Sequence, residues 1–220
     1  IMSSIINFQD SNSIYNTFLS QLRDKKVQLD SMRFRRNLER LGEITAMEIS
    51  KTLNYSDKDI STPLGVSNMN LIDEPIVLAT ILRAGLPLHQ GLLNYFDQAE
   101  NCFISAYRKH TSPDEFDVEI EYMSSPDLEG KTILLNDPML ASGRSMVLAY
   151  KALLKRGTPK KIHVISVIAS QQGVDLVRDN LPSNSTIWVG AIDPEMTKES
   201  YIVPGLGDAG DLAFGSKKDD

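Results

Sequence analysis

The sequence predicts an α/β fold in which a parallel sheet carries helices on both faces. Short, continuous apolar runs recur along the chain, as expected of strands that are covered on both sides and show no alternation of apolar and polar residues. Most runs lead into a short polar loop and then into a segment with apolar residues at helical spacing. Repeats of strand, loop and helix are typical of parallel sheets. The runs occupy residues 75–82, 102–107, 132–137, 162–169 and 186–192.

Two helices are expected before the first apolar run. Residues 13–23 carry four apolar side chains at helical spacing, and a longer helix is expected over residues 31–53. Ser31 is a residue type that often caps a helix, because its hydroxyl accepts a hydrogen bond from a free backbone N–H of the first turn. Residues 54–74 are polar and contain a proline and a glycine. They predict a loop or a hairpin arm.

The remaining segments predict an exposed arm, a C-terminal loop and three more helices. Residues 108–130 are acidic and alternate in places, as in VEIEYM, which indicates an antiparallel arm. Residues 193–216 are rich in Gly, Pro and Asp and predict an ordered functional loop. We expect one domain over residues 1–220, with its core over 75–192. Helices are expected at residues 86–95, 145–156 and 173–180.

Composition and charge disfavour several classes of function. The 220 residues carry a formal net charge of −6 and a sequence pI of about 5.1. General nucleic-acid binding is disfavoured, because a protein that binds polyanions usually presents a basic face. No apolar run reaches the ~18 residues of a membrane span, and the first residues lack the pattern of a secretory signal. The single cysteine, Cys102, excludes an intrachain disulfide. These features predict a cytoplasmic protein.

Polar residues follow three of the predicted strands at the point where each strand ends. They are the Arg83-Ala84-Gly85 turn, Arg108, and the segment from Asp137 to Ser145. In open α/β sheets, ligands bind in the crevice at the carboxyl ends of the strands. We therefore expect these three segments to surround one ligand site.

The stretch NDPMLASGRS, residues 136–145, has the parts of a phosphate cradle. Small residues let backbone N–H groups point into the loop, Ser142 and Ser145 add hydroxyl donors, and the next helix presents its positive N-terminus. The pattern is not that of a Walker loop. Asp137 lies too close to the cradle for a second phosphate but could hold sugar hydroxyls, which predicts a phosphosugar site. The alternative is a plain strand–turn–helix connection with Asp137 and Ser142 as caps.

Several strings resemble those of uracil phosphoribosyltransferases. TILLNDPMLASGRS is similar to the phosphoribosyl-pyrophosphate loop of that family, usually written DPMLATGGS, and ILRAGL, residues 81–86, to its diphosphate-binding turn. YIVPGLGDAGD, residues 201–211, matches its uracil-binding segment without a change, and residues 32–53 resemble its N-terminal helix. The similarity extends from about Met32 to Ser216.

The resemblance implies a reaction and a set of site residues. The family joins uracil to 5-phosphoribosyl 1-diphosphate, forming UMP and diphosphate, with Mg²⁺ held by the substrate diphosphate rather than directly by protein ligands. It implies a phosphoribosyltransferase core with a C-terminal hood over the base, a homodimer or homotetramer, and GTP as a possible activator. A non-proline cis peptide is expected near Arg83-Ala84. The resemblance assigns diphosphate binding to Arg83 and Arg108, the ribose 5-phosphate cradle to Asp137, Pro138, Met139, Leu140, Ala141, Ser142, Gly143, Arg144 and Ser145, and the base site to Tyr201, Ile202, Gly207, Asp208 and Ala209.

Catalytic roles are expected for Asp137, Asp208 and Arg83. Cleavage at the anomeric carbon passes through an oxocarbenium-like state, as in glycoside hydrolysis. Asp137 can hold the ribose hydroxyls and stabilise the developing positive charge, Arg83 can neutralise the departing diphosphate, and Asp208 matches a contact to the sugar diphosphate through metal-bound water. Backbone groups near the base can reject cytosine, which exchanges a donor for an acceptor.

Four departures from the family pattern bear on rate and affinity rather than on the type of reaction. Arg144 replaces a glycine, Asn136 stands where an apolar residue is usual, Leu212 and Ala213 follow Asp211 where a basic residue is common, and the segment after Arg108 differs. Two other functions remain open at this point. One is a non-catalytic regulator of the same fold that binds RNA, against which the acidic pI argues. The other is a phosphoribosyltransferase for a different base, against which YIVPGLGDAGD argues.

Overall fold

The computed structural model describes residues 4–112 and 115–217, with the side chains of residues 4–106 and 120–217. The helices are α1 (Ile14–Arg23), α2 (Ser31–Ser50), α3 (Leu86–Leu93), α4 (Arg144–Leu153), α5 (Gln171–Asn180) and α6 (Ala209–Phe214). The strands are β1 (Ser4–Asn7), β2 (Tyr55–Thr62), β3 (Gly65–Ile72), β4 (Ile76–Leu82), β5 (Glu100–Ser112), β6 (Glu115–Ser124), β7 (Thr132–Asn136), β8 (Met139–Leu140), β9 (Lys161–Ser170), β10 (Ser185–Asp193), β11 (Glu195–Met196) and β12 (Ile202–Val203).

One eight-stranded sheet forms the centre of the fold. Its order is β1-β10-β9-β7-β4-β5-β6, and the short strand β8 pairs with β9. The pairing is parallel except between β5 and β6, which form the predicted antiparallel arm. Because β4, β7, β9 and β10 run in parallel, the loops that follow them meet at one edge of the sheet.

Two apolar clusters cover the two faces of the sheet. Along β4, Leu78 packs into the cluster formed with α1, α2, α3 and α6, whereas its neighbours Val77 and Ala79 pack into the cluster formed with α4 and α5. This alternation follows from the two-residue period of a strand, and each face stays apolar because helices cover both. The predicted α/β architecture with helices on both faces is therefore confirmed.

Several elements differ from the expectation. The strand β1 at the sheet edge was not predicted. Of the two alternatives for residues 54–74, a loop or a hairpin arm, the structure has the hairpin, β2–β3. The C-terminal segment, expected to be a loop, contains the β11–β12 pair and the helix α6. Helix α2 ends at Ser50 rather than at 53, and its cap is Asp30 rather than Ser31, because the Asp30 carboxylate accepts the N–H of Arg33 at 3.0 Å. Within the described part of the chain, no helix is long and apolar enough to cross a lipid bilayer.

Candidate active site

A cleft opens at the carboxyl ends of the parallel strands, between the β7–α4 connection and the C-terminal segment. Its walls come from two parts of the chain that are far apart in sequence, residues 137–146 and residues 200–210. The sequence predicted both walls. The predicted site residues that line the cleft are Asp137, Met139, Leu140, Ala141, Ser142, Gly143, Ser145, Tyr201, Ile202, Gly207, Asp208 and Ala209.

The first wall is anchored to strand β9 by backbone hydrogen bonds. The N–H of Asp137 donates to the carbonyl of Ile165 at 3.1 Å, and the carbonyl of Pro138 accepts from the N–H groups of Val167 and Ile168, each at 3.0 Å. Pro138 itself is buried behind the cleft and does not line it. These bonds fix the direction in which the chain leaves β7, so the cradle rests on the rigid sheet rather than on a free loop.

Helix α5 supports the middle of the same wall. Ser170 caps this helix, because its hydroxyl accepts the N–H of Gly173 at 2.9 Å, and the same hydroxyl donates to the carbonyl of Ala141 at 2.6 Å. Gly173 lies so close to the cradle that a Cβ at this position would overlap the Ala141 carbonyl oxygen. The Ser170 hydroxyl therefore holds the cradle backbone, and the absence of a side chain at Gly173 lets helix α5 pack closely against it.

Asn136, which directly precedes the cradle, is hydrogen-bonded to strand β4. This side chain is fully buried, its amide donates to the carbonyl of Ala79 at 2.9 Å, and its oxygen accepts the hydroxyl of Thr80 at 3.0 Å. An apolar residue at 136 would leave the Thr80 hydroxyl without this acceptor, so the departure at 136 is compensated by its neighbour. Ala84, in the turn that follows β4, also lines the cleft.

Asp137 lies at the base of the cleft with one carboxylate oxygen, Oδ1, accepting the N–H of Met139 at 3.1 Å. Burial raises the pKa of Asp137 to about 7, the hydrogen bond from Met139 lowers it, and the negative charge of Asp208 raises it further. The protonated form of this carboxyl group is thus favoured to a higher pH than in an exposed aspartate, and a positive charge placed beside it would favour the ionised form.

The raised pKa of Asp137 predicts a pH-dependent gain in stability for Asp137→Asn. The folded protein keeps a proton that the unfolded chain releases between about pH 4 and pH 7, so ionisation of Asp137 lowers the free energy of unfolding as pH rises through that window. The Asn variant lacks this loss. Its unfolding free energy relative to wild type should rise by roughly 2–4 kcal/mol between pH 4 and pH 8.

Urea unfolding of the ligand-free protein at pH 4, 6 and 8 measures this difference. Asp175→Asn is the matched control, because Asp175 lies on α5 in an exposed ion pair with Arg178 at 2.9 Å. A stability difference between Asp137→Asn and wild type that stayed constant across the three pH values would contradict the prediction.

Two of the predicted cationic ligands, Arg83 for the diphosphate and Arg144 in the cradle, do not line the cleft. The Leu82–Arg83 peptide bond is cis, as expected. The Arg83 Nη2 donates to Asp211 Oδ1 at 3.1 Å and to the carbonyl of Gly215 at 3.2 Å, so this side chain contacts α6 at the rim. Arg144 begins α4 and its side chain is exposed. Arg108 belongs to β5, and its side chain lies outside the described residues. The ligand roles of all three stay predictions.

The second wall contains two short elements, β12 and α6. Ile202 is buried beside the cleft, whereas Tyr201 is 46% exposed at its edge. Asp208 caps α6, with its Oδ1 accepting the N–H of Asp211 at 2.9 Å, and it lines the cleft at the same time. Asp208 therefore has a structural contact and a position that allows a contact to substrate.

Four further residues line the cleft and were not assigned as individual ligands. Ala84 and Gly210 belong to segments that were predicted, whereas Met146 and Ser200 do not. Among the residues that the structure describes, Ser200 is the one non-glycine residue with a left-handed backbone, with φ of 66°. It lies in the turn between β11 and β12, where its N–H donates to the carbonyl of Thr197 at 3.0 Å. A tight turn before Tyr201 was the signal available in the sequence, but TKES is not specific enough to identify it.

Comparisons with known proteins identify the family. The family model for uracil phosphoribosyltransferase matches residues 10–216. A uracil phosphoribosyltransferase of Porphyromonas gingivalis is 54% identical over 213 residues, which cover 97% of this chain and 99% of that protein. One from Pyrococcus furiosus is 35% identical over 214 residues, covering 96% and 90% of the two chains.

Solved structures agree at the level of the fold. The AQ2163 protein from Aquifex aeolicus is similar with a TM-score of 0.86 and 28% identity, and the match covers 96% of this chain and 98% of that one. A hypoxanthine phosphoribosyltransferase from Staphylococcus aureus, at 14% identity and a TM-score of 0.50, shares the fold over 74% of this chain and 76% of its own. By the family match and the near full-length identity, the chain belongs to the uracil phosphoribosyltransferase family.

Proposed function

We propose that this protein transfers the 5-phosphoribosyl group of 5-phosphoribosyl 1-diphosphate to uracil, giving UMP and diphosphate in pyrimidine salvage. The observation that carries the proposal is the cleft itself, in which the predicted phosphosugar cradle at 137–145 faces the predicted base segment at 201–209. In the reaction, the bond from the anomeric carbon to diphosphate breaks, with its electron pair leaving on diphosphate. The new bond forms between that carbon and N1 of uracil, which loses its proton.

The cradle binds the 5-phosphate of the sugar. Ala141, Ser142 and Gly143 line the cleft beside the start of α4, a helix of ten residues whose N-terminus favours negative charge, and their backbone N–H groups can donate to a phosphate. The hydroxyls of Ser142 and Ser145 add donors. Because β9 and α5 hold the cradle backbone in place before the ligand arrives, little ordering of the loop is needed on binding.

Asp137 binds the ribose hydroxyls and stabilises positive charge that develops on the sugar ring. Asp137 lines the cleft next to the cradle, so a ribose whose 5-phosphate is bound in the cradle can place its hydroxyls near this carboxylate. The ionised form does this work, so the raised pKa of the free protein indicates that Asp137 loses its proton when a cation and the substrate enter the cleft.

Two carboxylates in the cleft fit a magnesium ion. Asp137 and Asp208 both line it, and the charge of Asp208 raises the pKa of Asp137, which shows that the two repel each other. Carboxylate oxygens and water are the ligands that Mg²⁺ prefers. Within the residues that the structure describes, no cluster of three or more His, Cys, Asp or Glu side chains is present. The substrate diphosphate would thus hold the ion directly, and Asp208 and Asp137 would contact it through its water ligands; the bound ion would neutralise charge on the diphosphate.

Arg83 and Arg108 bind the diphosphate oxygens. Arg83 is already positioned at the cleft rim by the turn after β4, where Ala84 lines the cleft. Its present partner, Asp211, is 38% exposed, and an exposed ion pair of this kind contributes at most about 1 kcal/mol. A diphosphate group can therefore compete with Asp211 for Arg83.

Asp211→Asn is expected to lower the apparent KM for 5-phosphoribosyl 1-diphosphate by about 2–5-fold, because the diphosphate no longer has to displace a charged carboxylate from Arg83. The kcat should change little. Steady-state rates at varied sugar diphosphate and saturating uracil measure this. A raised KM would show instead that Asp211 orients Arg83 for the substrate.

The base lies against Tyr201, Ile202 and the segment from Gly207 to Ala209. Backbone N–H and C=O groups in this segment can pair with the edge of uracil. Cytosine places a donor where uracil has an acceptor, so at least one buried group would be left unpaired at a cost of about 1–3 kcal/mol.

The proposal also covers the oligomeric state, the cellular location and activation by GTP. The β2–β3 hairpin exposes both of its faces, with Leu64 at its tip fully exposed and Val66 70% exposed, which supports a homodimer or homotetramer. Cys102 is a free, buried thiol, which suits the reducing cytoplasm. Activation by GTP rests on the resemblance alone.

Diphosphate release from 5-phosphoribosyl 1-diphosphate and Mg²⁺, with and without uracil, tests the function. Release that depends on uracil, together with UMP formation, is expected, and cytosine should not replace uracil. A second pair of reactions with GTP tests activation. A folded protein that binds UMP but releases no diphosphate would contradict catalysis and favour the alternative function, a non-catalytic regulator that binds RNA.

A further inference from the structure

The base segment is attached to a buried ion pair that the sequence analysis did not identify. Arg23, the last residue of α1, and Asp193, the last residue of β10, form two parallel hydrogen bonds, Nη2 to Oδ1 at 2.7 Å and Nη1 to Oδ2 at 2.8 Å. Their side chains are 22% and 6% exposed. A carboxylate as buried as that of Asp193 needs such a partner, since an unpaired charge there would be costly.

Both partners also bind the backbone of Gly205. The Asp193 Oδ2 accepts the Gly205 N–H at 2.8 Å, and the Arg23 Nη1 donates to the Gly205 carbonyl at 3.0 Å. Gly205 has a left-handed backbone with φ of 56°, and a Cβ there would overlap the carbonyl oxygen of Ile202. The ion pair therefore fixes both polar groups of a residue that only glycine fits.

A third side chain continues this attachment. The amide of Gln28 donates to the carbonyl of Leu206 at 3.0 Å and to that of Leu22 at 2.7 Å, which ties the next residue of the base segment to the end of α1. None of Arg23, Gln28 and Asp193 lines the cleft, but Ile202 and Gly207, on either side of the attached residues, do.

We infer that Arg23 and Asp193 are positioning residues for uracil: they fix the turn at Gly205 and thereby hold the backbone groups of Gly207 to Ala209 in the geometry that the base requires. The inference deepens the proposed function and rests on it, because it takes this segment as the base site. The ion pair should affect the affinity for uracil more than that for the sugar diphosphate, since the cradle is held by separate contacts to β9 and α5, and the Asp208 carboxylate is fixed by its own hydrogen bond from the N–H of Asp211.

Burial alone would raise the pKa of Asp193, but the hydrogen bonds from Arg23 and Gly205, with the charge of Arg23, lower it below its ordinary value. The pair is therefore ionised at neutral pH, and its geometry can be broken without changing net charge. Arg23→Lys does this. Lysine still neutralises Asp193, but a single ammonium cannot reproduce the planar fork that reaches both carboxylate oxygens and the Gly205 carbonyl.

Steady-state kinetics with uracil and the sugar diphosphate varied separately test the inference. For Arg23→Lys we expect the KM for uracil to rise about 10-fold or more, with the KM for the sugar diphosphate within about 2-fold of wild type. Gln28→Met, which removes only the bonds to Leu206 and Leu22, should raise the KM for uracil about 3-fold. Arg36→Lys is the matched control, because Arg36 pairs with Glu39 and Glu43 on α2 at 2.8 and 3.1 Å.

The outcomes separate the inference from the proposed function. If wild type forms UMP and Arg23→Lys melts at a lower temperature with an unchanged KM for uracil, the pair is only structural and the inference is wrong. An equal rise in both KM values also overturns it. If Arg23→Lys does not fold, the result for Gln28→Met decides in the same way. If wild type itself releases no diphosphate with uracil, the proposed function fails first, before any variant is measured.

Discussion

Asp208→Asn is expected to lower kcat about 100-fold or more while the fold stays intact. The carboxylate of Asp208 lines the cleft and lies close enough to Asp137 for its charge to raise the pKa of that residue. Removing the charge would weaken the contact that Asp208 is proposed to make with the diphosphate through magnesium-bound water. Asparagine keeps an oxygen that can accept the N–H of Asp211, so the cap of α6 remains. The measurement is kcat at saturating substrates and Mg²⁺, with a thermal melt of the same sample.

Asp208→Ala separates the two contacts of this residue. Alanine removes the cap together with the charge, so the same loss of kcat should come with a loss of about 1 kcal/mol in stability. Near-normal turnover in the Asn variant, combined with destabilisation of the Ala variant, would mean that Asp208 acts as a helix cap and has no part in the chemistry.

Gly173→Ala is expected to damage the phosphate cradle from a position outside the cleft. Alanine usually stabilises a helix relative to glycine, by roughly 0.5–1 kcal/mol. Here the added methyl group would overlap the carbonyl oxygen of Ala141 and lie 2.6 Å from that of Leu140, so α5 and the cradle must separate. We expect a loss of about 1–3 kcal/mol in stability. The same displacement should cost about 10-fold or more in kcat/KM for the sugar diphosphate.

Urea unfolding and steady-state kinetics test this prediction, with Gln172→Ala as the control. Gln172 lies in the same first turn of α5, but its side chain is exposed, so its replacement should leave both quantities close to wild type. A Gly173→Ala protein more stable than wild type would mean that the helix and the cradle can move apart without cost.

The fold was predictable where burial dictates the pattern. β4, β7, β9 and β10 are covered on both faces, so their sequences are continuous apolar runs that no other element of this length explains. β1 has only four residues, two of which are exposed isoleucines, and it forms because it can pair with the edge of β10. A strand that depends on such a tertiary contact leaves no periodic signal in its own sequence.

The sequence motifs that line the site were predictable, but the residues that hold those motifs in place were not. The two strings that carry the resemblance line one cleft, and the family was confirmed by the matches to known proteins. The contacts that hold those walls come from single residues with no local pattern. Ser170 and Gly173 act on the cradle from α5, and Arg23 acts on the base segment from α1. The assigned roles of the individual cleft residues stay predictions until the variants are measured.

The pairing of Arg23 with Asp193 also has a consequence for how the protein folds. The two residues lie 170 positions apart, and Arg23 and Gly205 lie 182 apart, so the contact closes nearly the whole chain into a loop. Contacts of such long sequence separation form late, because the entropy of closing the loop must be overcome before they contribute. We therefore expect the wall that holds the base to be completed late, as is the pairing of β1 with β10, which also spans 182 positions. A refolding chain should regain most of its secondary structure before it regains the ability to bind uracil.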